Sequence, residues 1–310
     1  MGITRIIQKI NEPWLITPLA HGSIRSQLEA YQIHGAYNSE KKSKEQKEEE
    51  RRAMLCATSG FAIQESRANI PYNIDSNGIA QIYISGVIGK GLSTLETECG
   101  GVCCDQVSKA LAHIAEHKPV ALAMHYNSPG GTVTGTPEAA ALIKSFSQNI
   151  APVHAYTDTL CASAAYWMAV QADDFHAAPS ASIGSIGVYC SIFDTSEAYA
   201  KQGVDVTLVS SGVIKGQGSA GVPVNDEYKS FVAEQCNIIA QDFFSTVITE
   251  RKEQLIAAAK AAGVDADEYV ASIFQGQCWM AKSAPGGLID SATIQSREDH
   301  LRMIYATYIG

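Results

Sequence analysis

From Gly78 onward the chain alternates short apolar runs with stretches of helical period. The sharpest run, Val120-Ala121-Leu122-Ala123-Met124, is soon followed by Asn127-Ser128-Pro129-Gly130-Gly131. A buried strand halted at Pro-Gly-Gly leaves backbone N–H groups free at its carboxyl end, where α/β proteins place ligands and chemistry. Glycine at both positions removes the Cβ, so a substrate carbonyl can approach those donors closely. A tight bend without function would carry the same residues, and this stretch alone leaves both readings open.

The surrounding pattern sets the fold class. Ile79–Val87 reads as a strand broken at Ser85-Gly86, and Cys103–His117 as a helix with Val107, Ala110, Leu111 and Ile114 on one face. Pro119–Tyr126 is the buried strand. Thr136-Pro137-Glu138 opens a helix with Thr136 as its N-cap and an apolar face of Ala139, Leu142, Ile143 and Phe146. Strand Pro152–Tyr156, a helix from near Ala162 to Gln171, and strand Phe175–Ala178 follow. After the Ser185–Tyr189 segment come a helix over Thr195–Gln202 and a strand over Asp205–Ser210. The helical pattern from Asn225 to about Ala262 is expected to break in two. Such alternation implies an α/β fold with parallel strands and right-handed crossovers. Ahead of it, residues 1–36 form an arm with Pro13 and Pro18. Glu40–Arg52 is nearly all charge of mixed sign, the composition of a solvated helix or linker, and Ser59–Asn77 is an irregular connector.

With 310 residues, 46% hydrophobic and 18% charged, the chain can bury one large core or two modest ones. Its net charge of −9 argues against a nucleic-acid partner. No apolar run approaches the roughly 18 residues that span a bilayer, and the N-terminus lacks the apolar core of a signal peptide, so no membrane association is expected. Of the eight cysteines, Cys161, Cys190 and Cys236 lie in apolar segments, where a free thiol acts as a small hydrophobe. Cys103-Cys104 are adjacent, with no C-x-x-C spacing. A cytoplasmic, reduced chain with no metal and no cofactor is expected.

Ser163, in Thr157–Trp167, falls just after a strand and in the first turn of a helix, flanked by Ala162 and Ala164. Backbone donors at a helix start would stabilise an oxyanion, though a serine there is also an ordinary cap. A nucleophilic serine needs a base. His125 and His154 read as core or rim residues, His176 lies in a strand and His300 in the tail, so no Ser-His-Asp set suggests itself. A lysine serves where desolvation keeps its amine neutral. Lys215, in Ser210-Ser211-Gly212-Val213-Ile214-Lys215-Gly216, follows a strand end among small and apolar residues, and an exposed loop lysine would look the same.

Together, Ser128–Gly131, the serine segment, Ala181–Tyr189 with its Gly184-Ser185-Ile186-Gly187-Val188, and 210–216 resemble the S49 peptidases in order and spacing. These are signal-peptide-peptidase-A-like serine proteases with a Ser-Lys dyad on a ClpP/crotonase-like fold of repeated β-β-α units. Gly276-Gln277 and Gly287-Leu288-Ile289-Asp290 resemble the family's closing motif. The resemblance implies a peptidase domain over 78–292, preceded by an N-terminal arm and charged linker over 1–77 and followed by a tail over 293–310. It implies Ser163 as nucleophile and Lys215 as general base. Backbone N–H groups of Gly130, Gly131 and Ala164 would form the oxyanion hole, with Ser185 orienting the lysine. An extended substrate would add as a strand along Thr132, Val133 and Thr134. Two departures stand out: Ala164-Ala165 after the nucleophile, and Gly216-Gln217 after the lysine. The arm Asn11–Pro18 and the run Lys201–Gly212 further resemble the capsid-assembly proteases of tailed phages and prophages. That branch implies cleavage of scaffold and head proteins, and of the chain itself, inside a procapsid. It also implies a homo-oligomer in which serine and lysine can come from neighbouring chains. The alternatives are a cellular signal-peptide-peptidase-like protease, an inactive shell or scaffold component on the same fold, and a crotonase-type acyl-CoA enzyme, for which Glu138 is the nearest carboxylate.

Overall fold

A computed structural model describes residues 14–16, 72–93, 96–97 and 100–310; the charged stretch 40–52 and the connector residues before 72 lie outside these. In chain order the elements begin with β1 (Trp14–Ile16), β2 (Tyr72–Ile74), β3 (Ile79–Ser85), β4 (Ile88–Gly89) and β5 (Val102–Cys103). Next come α1 (Cys104–Glu116), β6 (Ala121–Asn127), β7 (Gly130–Thr132), α2 (Thr136–Asn149), β8 (Val153–Thr157), β9 (Leu160–Ala162) and α3 (Ala164–Ala169). β10 (Asp174–Ala177), β11 (Ser182–Gly184), α4 (Ser196–Lys201), α5 (Asp226–Glu250), α6 (Lys252–Ala262) and α7 (Ala266–Ile273) follow. β12 (Cys278–Met280) and α8 (Arg297–Tyr308) close the chain.

The central sheet has the order β10-β8-β6-β3-β2. Its first four strands are mutually parallel, and β2 runs antiparallel to β3 at the edge. The period-2 alternation of side chains sorts each strand between two faces. Ile82 and Ile84, Leu122 and Met124, Val153 and Ala155, and Phe175 and Ala177 face a core shared with α1, α2 and α3. On the opposite face, Ile79, Ala121 and Ala123 pack against Ile304 of α8. With both faces covered, strands such as Ala121–Tyr126 must be apolar nearly throughout, which is why their sequence reads as unbroken runs.

The face read for α1 is buried as expected. Several other expectations are corrected. Thr136 is the first helical residue of α2 rather than its cap, because Gly135 at φ 91° takes the cap position; the Thr136 hydroxyl donates to the Thr132 carbonyl at 2.8 Å. Leu142 is 45% exposed, and the buried stripe of α2 runs through Ala139, Ala140, Ile143 and Phe146 instead. The strand expected over Asp205–Ser210 does not form: the segment has no partner strand among the described residues, and its own residues are mostly exposed. The predicted break in the long helix falls at Arg251. This buried residue forks onto Asp290 (2.7 and 3.1 Å) and donates through Nε to the Gly287 carbonyl at 2.9 Å.

Candidate active site

Two small sheets at the carboxyl end of β6 assemble the site. The first has the order β1-β7-β4-β5 and the second β12-β11-β9. Ser128 joins β6 to the second sheet: its N–H donates to the Leu160 carbonyl (2.7 Å), its carbonyl accepts from Ala162 N–H (3.1 Å), and it bridges Cys161 in parallel. The Ser128 hydroxyl ties back to the Gly86 carbonyl at 2.6 Å. This knot brings the Pro-Gly-Gly turn alongside the serine turn, and β7 packs against α3.

Ser163 caps α3 at φ 56°, ψ −117°. A non-glycine residue with φ in that range stores strain of about 1–3 kcal/mol and persists only where its surroundings hold it. Its N–H donates to the Gly184 carbonyl at 2.8 Å. Its side chain makes no capping bond, and its Oγ is buried without a hydrogen-bond partner. The ordinary role of a serine at a helix start is therefore not the one this serine performs. Directly beyond the bond to Ser163, Gly184 (φ 109°) leads into Ser185 (φ 53°), a second strained residue. Ser185 N–H donates to the Gln277 carbonyl at 2.6 Å. Four sequence motifs thus meet at one place: the Pro-Gly-Gly turn, the serine turn, Gly184-Ser185 and Gly276-Gln277.

The amides differ in their commitments. Gly130 N–H is engaged by the Ser128 hydroxyl at 3.2 Å, which takes it out of the expected donor set. Ala164 is the first helical residue of α3, where an N–H has no intrahelical acceptor. Gly131 sits where a Cβ would fall 1.8 Å from the Ile88 carbonyl oxygen, so no other residue fits without moving β4. The extended segment expected over Thr132, Val133 and Thr134 is not found there. Only Gly130–Thr132 is extended, since Val133 and Thr134 turn into α2, and the extended portion is paired on both edges.

Lys215 is not brought to Ser163. It lies exposed in the irregular segment between α4 and α5, while Ser163 is buried. No side chain of the described residues lies within hydrogen-bond reach of Ser163 Oγ. The histidines set aside as bases gather on the far face of the sheet, under α8. His125 stacks on Tyr83, His300 stacks on Tyr156, and His154 Nδ1 meets Asp174 Oδ2 at 2.8 Å. Burial drives His125 well below the ordinary imidazole range and His300 down to about 3. Burial opposes the charge on Asp174, but hydrogen bonds with His154 and His176 hold it well below the usual carboxylate range. This cluster was missed in sequence because its members come from β6, β8, β10 and α8. Among the described residues no group of His, Cys, Asp and Glu is placed to hold a metal ion, and no helix is long and apolar enough to cross a membrane.

Among solved structures the chain is similar to a ClpP1 mutant from Listeria monocytogenes, at 15% identity and a TM-score of 0.40, over 71% of this chain and 93% of that one; the likeness is distant and one of fold alone. MJ0651 of Methanocaldococcus jannaschii is 27% identical over 179 residues, 57% of this chain and 53% of that protein. Capsid assembly protease C of phage lambda is 27% identical over 172 residues, 55% of this chain and 39% of the relative. Protease 4 of Salmonella typhi is 26% identical over 219 residues, 70% of this chain and 33% of the relative. The chain thus spans about a third to a half of the length of these relatives. Residues 145–292, which include Ser163, Ser185, Lys215 and the Gly287–Asp290 motif, match the model of peptidase family S49.

Proposed function

We propose that this chain is a serine endopeptidase that cleaves extended polypeptides, with Ser163 as nucleophile and Lys215 as general base. The observation that carries the reading is Ser163 itself: a strained residue at a strand-to-helix turn, with a buried hydroxyl that neither caps the helix nor bonds any neighbour. Lys215 takes the Ser163 proton as Oγ attacks the scissile carbonyl, and the proton passes to the leaving amine. The amides of Gly131 and Ala164 hold the oxyanion, each donor worth about 3 kcal/mol. Water then hydrolyses the acyl-enzyme. Ser185, one residue beyond the acceptor of Ser163 N–H, orients the lysine.

Because Lys215 is exposed within one chain, we assign it to the serine of a neighbouring copy in a homo-oligomer. The 204–213 segment favours this: Val209 is 92% exposed and Val213 62%, apolar surface that the other described residues leave uncovered. The test mixes Ser163→Ala and Lys215→Ala chains, each inactive alone. Shared sites restore about a quarter of wild-type activity, since a quarter of serine–lysine pairings then join two intact residues. No restoration refutes the shared site, and labelling of Ser163→Ala by a fluorophosphonate refutes the nucleophile.

For substrates, the cellular reading has the wider support, from protease relatives in cellular organisms such as MJ0651 and Protease 4. The procapsid reading draws on the likeness to capsid assembly protease C and predicts cleavage of scaffold and head proteins. Parallel digestion of signal peptides and of a phage scaffold protein separates the two.

A further inference from the structure

The Gly130–Thr132 strand has one edge against β4, where Ile88 pairs with Gly131. Its other edge is taken by β1, antiparallel, with Trp14 opposite Thr132, Leu15 opposite Gly131 and Ile16 opposite Gly130. The substrate-facing edge of the proposed site is therefore filled by the chain's own N-terminal segment. Two features mark β1 as an occupant rather than a built-in strand. Pro13 and Pro18 flank it in sequence, so neither of those positions offers a ladder donor. Its partner strand presents Gly130 and Gly131, which add no side-chain grip and mark a place where another backbone approaches closely. The register also carries chemical information. Two residues beyond the Ser128–Cys161 bridge lie Gly130 on one strand and Ser163 on the other, and Ile16 is level with Gly130. Ile16 is only 1% exposed, so an aliphatic side chain is accommodated at that level.

We propose that the β7 edge is a strand-binding site for extended peptides in the antiparallel sense, that it takes an aliphatic residue opposite Gly130, and that Trp14–Ile16 occupies it as a tethered competitor of substrate. This rests on the endopeptidase reading above. A competing peptide must displace three residues of main-chain pairing, so the full-length chain works at an apparent affinity reduced by its open fraction.

The test uses full-length wild-type, Ile16→Asp and Leu15→Pro chains, with circular dichroism to confirm that each is folded. Ile16→Asp drives a carboxylate into a buried position, and Leu15→Pro removes the backbone donor at the centre of β1. Two readouts are taken: the rate of fluorophosphonate labelling at Ser163, and binding of a fluorescent peptide of sequence 11–18. Either folded variant is expected to label about tenfold faster than wild type and to bind the peptide, and saturating peptide should return labelling to the wild-type rate. Labelling at the wild-type rate with no peptide binding overturns the proposal, leaving β1 as packing. Slower labelling in a folded variant also overturns it, since β1 would then be part of the competent site. If no chain labels at all, the nucleophile assignment fails, and peptide binding to the variants decides the strand site by itself.

Discussion

His300 offers a sharp test of how burial governs this fold. It is fully buried on the inner face of α8, its ring stacks on Tyr156 at 5.0 Å, and neither ring nitrogen has a hydrogen-bond partner. Burial is the largest cause of its depressed pKa. His176 and His154 add to the depression, while Asp174 opposes it; the result is a fall from the ordinary 6.5 to about 3. The folded value lies below the unfolded one, so the unfolded chain takes up the proton first as pH falls. Stability is complete above 6.5 and is lost between 6.5 and about 3. At about pH 5 the gap already traversed is about 1.5 pH units, worth about 2 kcal/mol at 1.36 kcal/mol per unit. Asp174 titrates below its ordinary 3.8, outside that comparison. His300→Phe keeps the stacking ring and removes both unpaired nitrogens. At neutral pH the variant should therefore match or exceed wild type, by up to about 2 kcal/mol. Urea unfolding of both chains at about pH 7.5 and about pH 5 measures this, and the wild type should lose about 2 kcal/mol more than the variant between them. Equal losses would refute the account of a neutral, unpaired imidazole.

Three further outcomes follow from the site and its supports. Gly131→Ala should lower the rate of Ser163 labelling at least about 100-fold, because a Cβ placed 1.8 Å from the Ile88 carbonyl displaces the strand that carries the proposed oxyanion donor. Ser163→Gly should abolish cleavage yet raise stability by about 1 kcal/mol in chemical denaturation, since glycine adopts φ 56° without the strain serine bears. Arg251→Ala should lower unfolding stability by about 3 kcal/mol, somewhat less than a fully buried pair, because Asp290 remains partly open to water.

Much of the architecture was legible in the residues because it depends on local period. The α1 face and the apolar runs of β3, β6 and β8 follow from spacing alone; a division of the long helix was expected as well, but not its place at Arg251. The misses occur where a longer-range partner decides. Thr136 lost the cap to Gly135, whose positive φ suits glycine, and Asp205–Ser210 has β-prone composition but no strand to pair with among the described residues. The buried Arg251–Asp290 pair joins residues 39 apart, and nothing in either neighbourhood announces it.

The sequence by itself determined the chemistry on offer: Ser163 between alanines, Gly130-Gly131 free of Cβ, Gly184-Ser185, Gln277, and Lys215 in a small-residue loop. Only the tertiary structure decided which of them meet. Hydrogen bonds from Ser128 to the β9 turn and from Ser163 to Gly184 draw the first four motifs into one site and force Ser163 into its strained turn. Lys215 stays outside, exposed in the irregular segment between α4 and α5 while Ser163 is buried. The β7 edge is filled by the chain's own Trp14–Ile16. Strand pairing links residues far apart in sequence, and no local pattern encodes that choice of partner.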